Sequence, residues 1–360
     1  MNILVYDVAA EYGGALTILE EFYEEIQENF STNVHWTLVV SVDKFKNTKN
    51  TTVISVPQVK KSWIHRLYFD YFGILKIIKS QQIDYVFSMQ NMSIPRIKMK
   101  QCVYLHQSLQ FSPERYSFLK KEEFVLAIRQ RIICDWLMKK SLKKADKIIV
   151  QSQWMKKAVE KWIAYKDEDI IVCKPKVKIP CMQKKIERKM PDYIIYPAGS
   201  GRHKNHQIII ETYKRLLEKG IRPMRIYFTL DENQDIYSEN LAKEVKKYKL
   251  PIVMSGYKNR DELLELMYNG IVIFPSYLET YGLPLEEARS LNTIILASDL
   301  PFAHEILDDY NNAYFFGWND IKSLSDLIMK CTNKQIRRYD NDFKTMERKG
   351  LIQTVMEECQ

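Results

Sequence analysis

A chain of 360 residues is long for one hydrophobic core and fits about two domains at roughly 150 residues each. Its composition, 46% hydrophobic and 28% charged with 11 Gly and 12 Pro, excludes a disordered, collagen-like or linker-dominated chain. The formal charge of +9 admits nucleic acid, an anionic membrane face or phosphorylated small molecules as partners without choosing among them.

From the N-terminus, Met1–Leu4 runs straight into an apolar strand, with no basic segment leading an apolar one. The longest apolar runs, Gly270–Pro275 and Ile294–Ala297, are far short of the ~18 residues that cross a bilayer. A soluble, cytoplasmic protein is the expectation. Cys102, Cys134, Cys173, Cys181, Cys331 and Cys359 include no C-x-x-C pair, which suits reduced thiols better than a zinc ribbon or a disulfide scaffold.

Strands are predicted at Asn2–Val8, Val34–Val40, Thr52–Val56, Asp84–Ser88, Cys102–His106, Lys147–Gln151 and Asp169–Cys173. Helical periodicity follows the first through Leu16, Leu19, Phe22 and Ile26, and recurs at Leu67–Lys79, Phe124–Lys139 and Trp154–Ile163. Lys174–Met190 breaks the rhythm with two prolines and many basic residues against one acid, and reads as a connector. Strands then resume at Tyr193–Pro197, Arg225–Thr229, Pro251–Met254, Ile271–Phe274, Thr293–Ala297 and Ala313–Phe316, and the segment after Asn333 reads as polar and helical. The alternation predicts an α/β fold of parallel sheets covered on both faces. The expected division is a first domain over 1–178, a second over 190–335 and a tail over 336–360. Ligands of such sheets sit at the carboxyl ends of the strands.

Two strand–loop–helix segments carry the richest chemistry. In the first, Gly199 and Gly201 precede Arg202 and Lys204, so close backbone approach and positive charge coincide, as a diphosphate requires. Gly199-x-Gly201 is only a fragment of a dinucleotide fingerprint, because Lys204 fills the third glycine's place. In the second, Glu279 lies in a loop and Glu287 in the helix it enters, with Gly282, Leu283 and Pro284 between them. Pro284 suits the first helical position, and the free N–H groups and dipole there suit a phosphate. Carboxylates in these two places can accept bonds from separate sets of hydroxyls, as a nucleotide sugar presents.

Glu279-x7-Glu287 resembles the E-x7-E signature of retaining glycosyltransferases of family 4. Phe274-Pro275-Ser276 and the Gly201–Asn205 turn that carries Lys204 match that family in the same order, and Ser255-Gly256-Tyr257 resembles its nucleotide-side loop. Weaker matches are the Gly13–Gly14 loop, His106 ending a strand, and Ile148–Ser152. The resemblance implies a GT-B architecture, two Rossmann-like domains facing across a cleft, with the last helix returning to the first. It implies sugar transfer from a nucleotide donor with retention, Lys204 and Arg202 holding the diphosphate. Glu287 is expected on the ribose, Glu279 and His106 at the donor sugar, and the main chain of Tyr281, Gly282 and Leu283 at sugar and phosphate. Gly256 and Tyr257 are expected near the base, with Gly14 and Gly199 giving close approach. Three departures bear on specificity: Thr280 follows Glu279 where many relatives have Gly, Gln107 rather than an acid follows His106, and Arg202 stands only two residues before Lys204.

No residue is placed as a covalent nucleophile, and attack assisted by the departing phosphate leaves the protein to position the partners and stabilise the leaving group. Asp167–Asp169 and Asp340–Asp342 read as solvated acids, and His203 and His206 as turn polarity, so no metal or other cofactor is expected. A nicotinamide dehydrogenase fails for want of a complete glycine fingerprint. A nucleic-acid module leaves the two glutamates unexplained, and nucleic acid is not an expected partner. A catalytically silent sugar-nucleotide binder is the alternative. Finally, Lys60–Phe69 mixes cations with large aromatics, and Lys120–Lys147 holds nine basic residues against four acids. Such segments suit an anionic membrane face. The expectation is peripheral attachment and a glycan or lipid-diphosphate-linked acceptor in surface polysaccharide synthesis.

Overall fold

The computed structural model describes residues 1–11, 13–28, 33–121, 123–176, 190–339 and 348–359. Most of the connector predicted over Lys174–Met190, together with Cys181 and the acidic string Asp340–Asp342, lies outside the described residues. The chain divides into two compact units, Met1–Lys176 with Glu347–Gln360, and Val177–Met346.

The first unit is built on a parallel sheet of seven strands: β1 Asn2–Asp7, β2 His35–Val40, β3 Thr51–Ser55, β4 Tyr85–Ser88, β5 Gln101–Leu105, β6 Lys147–Val150 and β7 Ile170–Val172. Their spatial order is β3-β2-β1-β4-β5-β6-β7. Continuous apolar stretches such as Ile3–Tyr6 form strands buried on both faces, the condition for a parallel sheet clad by helices. The helix Gly13–Glu28 covers one face through Leu19, Phe22 and Ile26. The helix Leu351–Glu358 joins the same core through Ile352 and Val355. It is held there by the Ile352 amide donating to Glu25 (3.2 Å) and by Thr354 against Cys173 (3.5 Å).

The second unit carries six parallel strands: β8 Tyr193–Tyr196, β9 Arg225–Phe228, β10 Ile252–Met254, β11 Ile271–Phe274, β12 Ile295–Ser298 and β13 Ala313–Phe316, in the order β10-β9-β8-β11-β12-β13. Every strand falls within two residues of its predicted place. Each sheet reverses its strand order once, between β1 and β4 in the first unit and between β8 and β11 in the second. A crevice opens at such a reversal, because the connections on either side leave toward opposite faces.

Several elements differ from expectation. The periodic segment at Phe124–Lys139 is helical but wound in π geometry over Ile128–Met138, and a π turn at Phe69–Gly73 interrupts the helix before Ile74–Ser80. Helices at Ile236–Lys247, Pro301–Leu307 and Ile321–Thr332 are additions. After Asn333 the described chain is irregular until Leu351, because the apolar positions Ile352 and Val355 that can bury a helical face come only there. Among the described residues no helix is long and apolar enough to cross a membrane.

Candidate functional site

The two glycine-bearing loops of the second unit leave β8 and β11, the strands that flank its reversal and pair Ile271 with Ile194. Chain topology therefore brings together what 70 or more residues separate. After β8, Gly201 has φ +156, Arg202–Lys204 forms one 3-10 turn, and Asn205 (φ +58) starts the helix His206–Glu218. Asn205 donates to the carbonyls of Pro275 (3.1 Å) and Trp318 (2.7 Å), and the Tyr277 amide donates to the His203 carbonyl (2.9 Å). These bonds clamp one loop onto the other.

Within the clamp, Lys204 Nζ donates to Glu279 Oε1 at 2.6 Å, and the Ser276 hydroxyl lies 2.6 Å from the same oxygen. Burial pushes the Glu279 carboxyl up, but the charges of Lys204 and His203 and the bonds from Lys204 and Ser276 outweigh it. Glu279 is held below the usual carboxylate range and is ionised at neutral pH. Lys204 also lies 5.9 Å from the centre of the Phe274 ring. Arg202, at the start of the same turn, is solvent-exposed.

Glu287 lies in the helix Leu283–Ser290, which Gly282 enters with φ +103. Leu283 is its first residue and Pro284 its second, a shift of one from expectation that leaves the missing proline N–H equally harmless. Burial raises the Glu287 carboxyl, opposed by Arg260, whose guanidinium stands 2.8 Å away. Arg260 is the first residue of the helix Arg260–Asn269, where the dipole disfavours a cation, and the Asn259–Glu262 capping box secures that helix. The Tyr281 side chain turns inward and donates to Glu286, so only its main chain is available to a ligand. Ser255 and Gly256 follow β10, Gly256 at φ +71 with its amide on the Leu230 carbonyl (3.0 Å), and Tyr257 beside them is 87% exposed. At Gly199 a side chain would meet open space.

His106 and Gly14 belong to the first unit. Gly14 opens the helix Gly13–Glu28 and has nothing within 4 Å of where a Cβ would stand. His106 follows β5. Its amide donates to Asn91 Oδ1 (2.7 Å), which turns the Asn91 amide nitrogen toward His106 Nε2 at 3.2 Å. Nε2 therefore accepts and the ring proton sits on Nδ1, an enclosed atom with no partner. Burial pulls the imidazole down to about 4, so it is neutral at physiological pH.

Three expectations need correction. His206 is not turn polarity: it is fully buried among Tyr196, Phe228 and Tyr237, at ring distances of 4.5, 5.0 and 5.9 Å, and burial lowers it to about 3. Of the acids read as solvated, Asp167 is exposed, whereas Asp169 is half-buried and pairs with Lys147 (2.8 Å). Phe69 is core, not part of an outward aromatic face. Sequence reading also passed over Arg260 and Asn91. A cation on the first turn of a capped helix signals the former. The latter has no local signal, since its partner is 15 residues away. Cys102, Cys134, Cys173, Cys331 and Cys359 are unpaired thiols. Among the described residues no three His, Cys, Asp or Glu side chains are grouped to hold a metal.

Each unit carries one parallel Rossmann-like sheet, and solved structures of the GT-B fold superpose on the chain. Sucrose-phosphate synthase from Thermosynechococcus elongatus superposes with a TM-score of 0.68 at 13% identity, over 91% of this chain and 88% of that one. WaaG, a glycosyltransferase involved in lipopolysaccharide biosynthesis, gives 0.65 at 13% (93% and 91%). Anabaena HepE in complex with UDP-glucose gives 0.62 at 15% (93% and 90%). Residues 179–349 match the family model described as glycosyl transferases group 1. The O-antigen chain mannosyltransferase RfbU of Salmonella typhimurium is 26% identical over 226 residues, 59% of this chain. The match spans 61% of the length of RfbU.

Proposed function

We propose that the protein is a retaining glycosyltransferase that moves a hexosyl group from a nucleotide-sugar to a glycan or lipid-diphosphate-linked acceptor in surface polysaccharide synthesis. The observation that carries this reading is the Lys204–Glu279 pair at the strand-order reversal, in a region matching group 1 glycosyl transferases. The naming of RfbU and WaaG supports the polysaccharide context.

In this reading Glu279-x7-Glu287 is the E-x7-E pair of family 4. Negative charge grows on the donor diphosphate as the glycosidic bond breaks, and Lys204, with Arg202, neutralises it. Glu279, kept ionised by Lys204, accepts from hydroxyls of the donor sugar. Glu287 accepts the ribose hydroxyls, with Arg260 compensating its buried charge. Gly282, Leu283 and the Tyr281 main chain face sugar and phosphate, and the exposed Tyr257 ring beside Gly256 stacks on the base. His106, neutral and fixed by Asn91, serves as a hydrogen-bonding group rather than a cation. Gly199 leaves room for the donor. No metal is required, because side-chain cations do the work of charge neutralisation.

A panel of UDP-, GDP-, ADP- and CMP-sugars tests the reading by thermal shift. One nucleotide class, at 100 times its dissociation constant, is expected to stabilise the protein by about 2.7 kcal/mol. Proton NMR of the first-formed product then reads the anomer. Inversion excludes a retaining enzyme, and donor binding without transfer or hydrolysis leaves a sugar-nucleotide binder.

A further inference from the structure

Two helical segments of the first unit turn large apolar side chains to solvent. In the first, Ile64, Leu67, Tyr68, Tyr71 and Phe72 recur at steps of three and four and are all exposed, Ile64 at 78%. Trp63 beside them is 72% exposed. The opposite side of the same segment is already satisfied, with Phe69, Ile74 and Ile78 in the core against Leu4 and Tyr6. A surface helix ordinarily buries its one apolar stripe and shows water a polar one. This one is apolar on both sides.

The second segment runs from Phe118 to Lys144. Its exposed large residues include Leu119 (96%), Val125 (74%) and Trp136 (60%). Every exposed charged side chain described in this segment is basic, among them Lys121, Arg129, Lys140, Lys143 and Lys144. The described acids are turned to internal partners: Glu123 accepts from the Ser117 amide (2.9 Å) and Lys120 (3.1 Å), and Asp135 holds Arg115 (2.5 Å). Cations also lie over the aromatics, Arg131 at 5.4 Å from Phe118 and Lys140 at 5.7 Å from Trp136.

Both segments cover the same side of the sheet. Register pairs Ser88 of β4 with Val103 of β5, and side chains alternate, so Val86, Ser88, Val103 and Leu105 share one face. Val86 packs under the first segment, while Val103 and Leu105 pack under the second. The outward sides of the two segments therefore belong to one surface.

We propose that this face docks on an anionic lipid bilayer, with the aromatic and aliphatic side chains entering the headgroup region and the lysines and arginines meeting lipid phosphates. Charge selects this occupant. A second copy seated symmetrically would set basic surface against basic surface. A nucleic acid would satisfy the cations but leave Ile64, Leu119 and Val125 without apolar surroundings. The inference rests on the surface alone and stands apart from the glycosyltransferase reading.

The test uses the full chain with phosphatidylcholine vesicles of graded phosphatidylglycerol content, followed by flotation and tryptophan emission. Bound protein is expected to rise with phosphatidylglycerol and fall with salt, and emission is expected to shift to the blue as Trp63 and Trp136 leave water. Lys140→Ala, Lys143→Ala and Lys144→Ala should each weaken partition about five-fold. Ile64→Ser and Val125→Ser should weaken it at every salt concentration. These positions are exposed, so unchanged urea melts confirm that the variants fold. Absence of flotation at low salt, equal binding to both lipids, or a dimer in sedimentation that shields Trp63 and Trp136 from a soluble quencher would overturn the proposal.

Discussion

The ammonium of Lys204 lies 2.6 Å from Oε1 of Glu279, although the two residues stand 75 positions apart in the chain. Neither charge could be held in so enclosed a place alone. A half-buried ammonium and a half-buried carboxylate each carry a desolvation cost that the partner offsets. The pair is thus a structural unit before any ligand arrives, and this shapes how its variants must be read.

Lys204→Ala is expected to lower kcat by roughly 10²–10³ through lost leaving-group stabilisation. It should also lower stability by about 1–3 kcal/mol by stranding Glu279. The double variant Lys204→Met with Glu279→Gln separates the two effects: it should regain most of the stability and none of the rate. Urea melts and initial rates measure both, and wild-type turnover in a folded Lys204→Ala protein would exclude the role in transfer.

Glu287→Gln should act on binding. A ribose contact exists in ground and transition states alike, so its loss raises the donor dissociation constant, by about ten-fold for 1.4 kcal/mol, with little change in kcat. The unliganded protein should respond in the opposite sense. A carboxyl raised by burial destabilises the fold once pH exceeds its folded value and is neutral in effect below its unfolded value. The stabilisation conferred by glutamine is therefore expected at pH 7–8 and should vanish near pH 4. Calorimetry at two pH values and donor titration decide the matter together.

His206 predicts acid sensitivity. Its folded value, about 3, lies below its unfolded value near 6.5, so between them the unfolded chain binds more protons. Stability is then full above pH 6.5 and falls by up to roughly 1.4 kcal/mol per pH unit as pH drops through that window. His206→Phe, which fills the same aromatic cage, should reduce the difference in unfolding free energy between pH 7 and pH 5. A residual slope should remain, because His106 acts in the same direction down to about 4.

Metal independence is tested directly by assay in EDTA. On the proposed role of Lys204 and Arg202 as the source of positive charge, transfer is expected to be unchanged. A rate abolished by chelation and restored by magnesium or manganese would require a different account of leaving-group stabilisation.

The sheets were readable because parallel strands buried on both faces, such as Ile271–Phe274, leave unbroken apolar runs between helical periods. The loops after β8 and β11 were readable as residue types: glycines, a lysine and two glutamates in places that suit a phosphate and hydroxyls. That the lysine and a glutamate touch was not, because their meeting depends on strand order. The same holds for Arg260 and Glu287. His206 shows the converse failure. It sits beside Lys204 and Asn205 and looks like part of a polar turn, yet its burial is decided by rings contributed from β8, β9 and the helix that follows β9.

The helix Leu351–Glu358 has a consequence for the order of events during synthesis. Val34, Trp36 and Tyr85 leave the ribosome early, but Ile352 and Val355, which share their core, come only after the whole second unit has been made. The second unit is continuous in sequence and can complete its packing while translation proceeds. The first must wait for the final segment, so the half of the molecule that begins first is the half that finishes last. A chain halted after residue 346 would contain every strand of both sheets and still lack part of the wall of one core.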